Sequence, residues 1–363
     1  MKEAKTVFIT DCEGPISKND NAFELVCHFI PEGEKFFTQI SRYDDVLADI
    51  VKRRGYKAGD TLKLIIPFLK AYKVTNKKMM DFSDQNILLM PGAKDALHFL
   101  SRIIPSFIVS TSYEHYIRVL CDELDFPYKN TYCTTLNIDA YHMDKEEQEK
   151  IKQFGQEICA MPLIEIPEGA KSLQDFSERD QQTIKQLYEI FWKEILQMES
   201  GIMLEEINPI GGVEKANAIR KIVEETRSGL SSVMYVGDSI TDVECFRLVR
   251  ENGGVTVSFN GNAYAVREAE VAVLSTNNVV VAMIADVFNR LGKASTCDFV
   301  DNWGFKSLIR YNVNPALQEK LQTLFPKRLP KMSKINTYNM RELATESSTF
   351  RKLVRGEKVG GLG

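Results

Sequence analysis

The sequence predicts an α/β fold in which helices wrap a parallel sheet, and three observations carry that prediction. Short apolar runs recur along the chain: 6–10 (TVFIT), 106–112 (SFIVSTS), VMYVG before Asp238, VTVSF and VAVL. Amphipathic helical stretches separate most of them, the alternation that places helices on the faces of a parallel sheet. Three of the runs end in reactive polar residues, and in such sheets ligands bind outside the carboxyl ends of the strands.

Each element follows from local pattern. After the first strand come helical stretches at 21–30, about 34–54, about 60–72 and 75–84. Leu62, Ile65, Ile66, Phe68 and Leu69 recur at helical spacing, although Pro67 is expected to kink or divide that helix. MPGAKDALHFL opens a helix at Pro91 with Ala93, Leu97 and Leu100 on its apolar face. YEHYIRVLCDEL reads as helix, and YCTTLNID as the strand after it. Residues 143–200 are helical and highly charged, an insertion rather than a sheet element. The regular alternation resumes with a helix at 213–226. From 291 onward the chain carries 13 Lys and Arg against 6 Asp and Glu, so this extension is basic and the remainder acidic. A basic tail either docks on an acidic partner or packs along its own acidic domain. GEKVGGLG at the very end is expected to be disordered.

Composition excludes several classes. The 363 residues, 44% hydrophobic and 26% charged, suit a soluble globular chain with a substantial core. A net charge of −4 is too small to argue for nucleic acid as the main partner. No run approaches the ~20 apolar residues of a membrane span. The chain enters a strand pattern by residue 7 without a signal-peptide layout, which points to the cytoplasm. Seven scattered cysteines show no CxxC and read as reduced thiols. Four histidines form no pair at metal-ligand spacing, so no zinc site is expected.

The strand ends hold the chemistry. Asp11 and Glu13 follow the first strand, and Ser110, Thr111 and Ser112 close the second. Asp238, Ser239 and Asp242 follow VMYVG, while Lys215 lies at the start of the helix before it. A carboxylate can attack phosphorus to give an acyl phosphate, splitting one hard step into two. Two anions cannot meet unaided, so a bridging cation is needed. Mg²⁺ suits the task because it takes few hard oxygen ligands from protein and shares phosphate oxygens. A lysine and a hydroxyl then neutralise and position the non-bridging oxygens.

These motifs resemble, in order, those of the haloacid dehalogenase superfamily. Asp11-Cys12-Glu13-Gly14-Pro15 stands where that family has Asp-x-Asp-Gly-Thr, Ser110 matches the second motif, Lys215 the third and VGDSITD the fourth. Within the superfamily the chain resembles phosphoserine-phosphatase-like proteins, and the D-x-E-G-P variant resembles the archaeal energy-converting hydrogenase A subunit R group. The resemblance implies a Rossmann-like core at 1–16, 89–140 and 209–290, with a helical C1-type cap at 17–88. A helical insertion at 141–208 and the basic extension at 291–363 complete the chain. It also implies roles: Asp11 as nucleophile and Mg²⁺ ligand, Glu13 as general acid and base whose backbone carbonyl meets the metal, Ser110 and Lys215 on the phosphate, and Asp238 and Asp242 at the metal. Ser112 and Lys221 are alternative partners for the phosphate. Cys12 is expected to be a packing residue.

The expected activity is Mg²⁺-dependent hydrolysis of a small phosphorylated metabolite through a phospho-Asp11 intermediate. Glu13 is longer than the usual aspartate by one methylene, and general acid–base work contributes ~10²–10⁴-fold only within hydrogen-bond reach. Pro15 removes a hydroxyl and an N–H from the loop. These departures leave a second reading open, a weakly catalytic or non-catalytic accessory subunit whose insertion or tail binds a protein partner such as a hydrogenase complex. A dehalogenase is disfavoured because the acids Asp238 and Asp242 serve a metal that halide release does not need. Asp20 falls where phosphoserine-specific enzymes hold an acid for the substrate amine, or is a helix N-cap before NAFELV. The insertion could cover the site, build an interface or decorate the fold.

Overall fold

The structure is a computed structural model and describes residues 5–362. Seven strands form one sheet in the order β3-β2-β1-β4-β5-β6-β7. These are β1 (Val7–Thr10), β2 (Ser106–Tyr113), β3 (Thr131–Thr134), β4 (Val233–Gly237), β5 (Val255–Phe259), β6 (Val271–Leu274) and β7 (Lys331–Lys334). The first six run parallel, and β7 adds to β6 antiparallel. All residues of β1, β4, β5 and β6 are buried, as their unbroken apolar runs require of strands covered on both faces.

Helices cover the two faces. One core cluster packs the sheet against α5 (Ala93–Ile103), α6 (Glu114–Leu124) and α13 (Val279–Asp301), the last broken at Gly292, whose φ of 73° leaves the helical region. The other packs it against α10 (Val213–Thr226) and α11 (Val243–Glu251). The short α12 (Ala263–Glu268) lies beside α16 (Met340–Arg355), and Leu343 and Ala344 of α16 pack on Val266 and Leu274. The helices α14 (Phe305–Arg310), α15 (Pro315–Leu324) and α17 (Glu357–Gly360) complete the C-terminal extension.

The cap and the insertion share one core. The cap comprises α1 (Asn21–Phe29), α2 (Gly33–Asp45), α3 (Thr61–Ala71) and α4 (Asn76–Asn86); the insertion comprises α7 (Lys145–Ala160), α8 (Glu178–Glu189) and α9 (Gly201–Glu206). Phe68 of α3 lies 4.6 Å from the ring of Phe36 and 6.0 Å from that of Phe191, just beyond α8. Gln39 donates to the Pro162 carbonyl at 3.0 Å and accepts from the Ile164 N–H at 3.2 Å. Trp192 donates to the Tyr43 hydroxyl at 3.1 Å. The insertion is therefore a second storey of the cap.

Three local expectations are corrected and one is narrowed. Of the two outcomes expected at Pro67, a kink or a division, the helix is not divided: α3 continues from Thr61 to Ala71 with Pro67 buried inside it. The 34–54 helix ends at Asp45, and a single π-helical turn, Val46–Ile50, follows. The YCTTLNID strand stops at Thr134, where the Thr134 hydroxyl turns to donate to the Thr111 carbonyl at 2.6 Å. GEKVGGLG is ordered through Leu362, with α17 docked beside α16; Gly363 lies outside the described residues. The basic extension also packs along its own acidic domain and supplies β7.

Truncating Phe68 should test the shared core. Phe68→Ala removes a fully buried ring and is expected to cost ~3–5 kcal/mol. Urea unfolding followed by tryptophan fluorescence reads it directly, because Trp192 lies in the same cluster.

Candidate active site

Asp11 and Asp238 become neighbours because β1 and β4 are adjacent and in register, Thr10 opposite Val236. The Asp11 N–H donates to the Val236 carbonyl at 2.8 Å, so the two chain ends leave the sheet side by side. The Asp11 carboxylate accepts the Cys12 N–H at 2.7 Å through Oδ1 and Lys215 Nζ at 2.8 Å through Oδ2. Lys215 is fully buried on α10 and also meets Asp242 Oδ1 at 2.8 Å. Burial alone would lower its pKa, but the Asp11 and Asp242 carboxylates raise it, so the ammonium stays charged.

Asp242 is held on every side. Oδ1 also accepts the Tyr235 hydroxyl at 2.6 Å, and Oδ2 accepts the N–H groups of Asp238 and Ser239 at 2.9 and 3.0 Å. Burial opposes its ionisation, yet Lys215 and these donors keep its pKa below the usual carboxylate range. Asp11 differs: burial, with Asp242 and Asp238 nearby, pushes it up to about 7 despite Lys215. One oxygen from each of Asp11, Asp238 and Asp242 lies within 4.8 Å of the others. Such a buried, oxygen-only set fits a hard divalent cation such as Mg²⁺.

The loop after β1 fits this cluster closely. Gly14 has φ +99°, and any Cβ there would overlap the Asp238 carboxylate. Glu13 points the other way, its Oε1 accepting the Asn21 N–H at the first turn of α1 at 2.8 Å. Burial and the nearby Asp20 hold its pKa well above the usual carboxylate range, which favours the protonated carboxyl. Asp20 caps α1 by accepting the Phe23 N–H at 3.0 Å and also lines the cavity. Both openings left for Asp20 therefore remain physically available, with the cap realised. Cys12 is buried in the core, as expected.

A cavity of about 110 Å³ opens onto Asp11, Glu13 and Asp238. Ser110 is buried within β2, its hydroxyl accepting the Ser112 N–H at 3.1 Å, while Thr111 is the residue of that triplet lining the cavity. The cap contributes Asp44 and Asp45, and the loop beside Asp238 contributes Ser239 and Thr241. Arg351 and Arg355 of α16 also line it and pair with Asp238 Oδ2, Arg355 at 3.1 Å. Sequence reasoning missed these arginines. Their only signal was the basic charge of the extension and a four-residue spacing that puts both on one helix face.

Residues 98–286 match the family model of haloacid dehalogenase-like hydrolases, more than half of the chain. The chain belongs to this hydrolase family. Its Lys215, Asp238 and Asp242 lie inside the matched region, with Asp11 brought to them by the sheet. Among solved structures, the gene product AF1437 from Archaeoglobus fulgidus is similar at 25% identity and a TM-score of 0.77, over 99% of both chains. That likeness takes in the insertion and the C-terminal extension as well as the core. An apo phosphoserine phosphatase is 11% identical at a TM-score of 0.46, over 76% of this chain and 97% of that one. A phospho-aspartyl intermediate analogue of phosphoserine phosphatase is 12% identical at 0.44, over 74% and 93%. No curated protein matches the chain. No described helix is long and apolar enough to cross a membrane.

The cap acids carry a pH prediction. Burial pushes Asp44 up to about 7 and Asp45 up to about 8 from an ordinary 3.8. The folded state thus holds protons that the unfolded chain has released, and stability falls as pH rises from about 4 through about 8. Asp45→Asn mimics the protonated form. It should match wild type below about pH 4 and exceed it by a few kcal/mol, ~1.4 per pH unit between the two pKa values, above pH 8. Thermal melts at the two pH values check this.

Proposed function

We propose that the chain is a Mg²⁺-dependent phosphomonoesterase acting on a small phosphorylated metabolite through a phospho-Asp11 intermediate. The observation that carries the reading is Lys215 bridging Asp11 and Asp242 beside Asp238 at the ends of adjacent strands. A family of hydrolases, a buried carboxylate at Asp11 and a cavity lined by charged and polar side chains agree with it.

Asp11 and Asp238 would hold the cation, with the Glu13 backbone carbonyl, while Asp242, its oxygens engaged by Lys215 and N–H groups, keeps Asp238 and Lys215 in place. When bound, Mg²⁺ supplies charge that keeps Asp11 ionised and offsets the phosphate's negative charge. One Asp11 oxygen attacks phosphorus, the ester P–O bond breaks, and the leaving alkoxide takes the proton that Glu13 holds. Glu13, now a carboxylate, removes a proton from water as that water attacks the acyl phosphate. Inorganic phosphate leaves, and Asp11 and protonated Glu13 are regenerated. Lys215 and the hydroxyl of Ser110 or Thr111 neutralise and orient the phosphoryl oxygens.

The test is phosphate release from a panel of phosphometabolites and an aryl phosphate, with Mg²⁺ and with chelator. Wild type should release phosphate only with Mg²⁺. Asp11→Asn should lose at least ~10³-fold, since it removes the nucleophile. Glu13→Asp should slow release ~10–100-fold, because the shorter acid loses both its reach and its bond to the Asn21 N–H. Release unaffected by Asp11→Asn would overturn the mechanism. No release from any protein across the panel would turn attention to the accessory-subunit reading.

A further inference from the structure

Arg351 leaves half of its guanidinium unpaired in the cavity wall. Its Nη1 donates to the Asp238 carboxylate and, at 3.3 Å, to the Asp238 carbonyl. Its Nε is buried with no partner, and Nη2 makes no hydrogen bond among the described residues. The side chain is only 5% exposed. Arg355 is different, because all three of its nitrogens are engaged. Nε donates to the Lys18 carbonyl at 3.1 Å, Nη1 to Asp238 at 3.1 Å and Nη2 to the Asn19 carbonyl. Arg355 fastens α16 to the two catalytic loops.

An unmet buried donor costs ~1–3 kcal/mol, and more when it is charged. The unmet edge of Arg351, Nε with Nη2, is the fork that takes two oxygens of a phosphate or carboxylate at once. Thr111, whose hydroxyl is also buried without a partner, lines the same cavity. Both arginines sit on Asp238 Oδ2, and no described residue donates to Oδ1. A cation on Asp238 and the arginines are therefore compatible.

We propose that the Nε–Nη2 edge of Arg351 seats an oxyanion of the substrate, so that the C-terminal extension completes the active site. The inference rests on the phosphatase reading for the word substrate, but the seat itself is testable without turnover. The oxyanion is either the transferred phosphoryl group or a second anionic group on the same molecule.

The experiment is calorimetric titration of inorganic phosphate, in Mg²⁺, into wild type, Arg351→Lys and Arg351→Ala, with Mg²⁺ titrated separately. Arg351→Lys keeps the charge on Asp238 and loses the fork, so it serves if the alanine variant does not fold. The expected result is phosphate binding weakened about tenfold or more in both variants with Mg²⁺ binding unchanged, which assigns the seat to the transferred phosphoryl group. If phosphate binding is unchanged but KM rises about tenfold for carboxylate-bearing phosphomonoesters and not for an aryl phosphate, the seat holds the second anion. Variants that match wild type in both measurements overturn the proposal. Tighter Mg²⁺ binding with faster turnover also overturns it, because Arg351 would then be competing with the cation. Phosphate binding that depends on Arg351 in a protein without turnover sinks the phosphatase reading and leaves this one standing.

Discussion

One buried ammonium organises the site. Lys215 sits between Asp11 and Asp242 at 2.8 Å from each, with no exposure to solvent. Three separate parts of the chain meet there: the loop after β1, the start of α10 and the loop after β4. A lysine buried alone would lose its proton, and two carboxylates buried together would keep one. Together, Lys215 keeps its proton and Asp242 stays ionised, while burial still pushes Asp11 up to about 7, and removing one partner of such a set typically costs ~3–5 kcal/mol. Tyr235, otherwise a core aromatic, turns its hydroxyl to Asp242 in the same set, while the Asp238 carboxylate beside it leaves no room for a side chain at Gly14.

The opposite charges of the two chain parts find each other at Asp238. Residues from 291 on are basic and the rest acidic, and two of the basic residues, Arg351 and Arg355, are buried on Asp238. β7 zips the extension onto β6, Leu343 and Ala344 bury beside it, and α16 is thereby aimed at the carboxyl ends of the strands. Apolar packing sets the helix, and the helix delivers two guanidiniums. Charge alone, screened within ~8 Å at physiological salt, could not specify that contact.

Much of this architecture was legible in the sequence. VFIT, VMYVG, VTVSF and VAVL are apolar without alternation, which only doubly covered strands tolerate, and their order with Asp11, Lys215 and Asp238 gave the core of the site. What stayed hidden depended on tertiary context. Pro67 is carried inside a buried helix whose packing outweighs the lost hydrogen bond, so it does not end the helix as a local breaker rule allows. GEKVGGLG has a disordered composition, yet it packs as α17 because α16 brings it there. Thr111 lines the cavity, and the β2–β3 pairing shifts register between Val109 and Tyr113, an irregularity that no side-chain pattern announces. Arg351 and Arg355 lie more than 100 residues from the aspartate they meet, beyond the reach of any local motif.

The glutamate at position 13 makes sense when the cap is considered with the core. An aspartate there could serve the cavity, but it would fall short of the Asn21 N–H that Glu13 reaches at 2.8 Å. That bond satisfies an otherwise open donor at the first turn of α1, next to the Asp20 cap. The acid is thus fixed from the cap side while its backbone belongs to the core loop. Because the cap shares its hydrophobic core with the insertion, the position of the acid depends on a body far larger than the loop that carries it. The extra methylene is the length that ties the side chain to the cap.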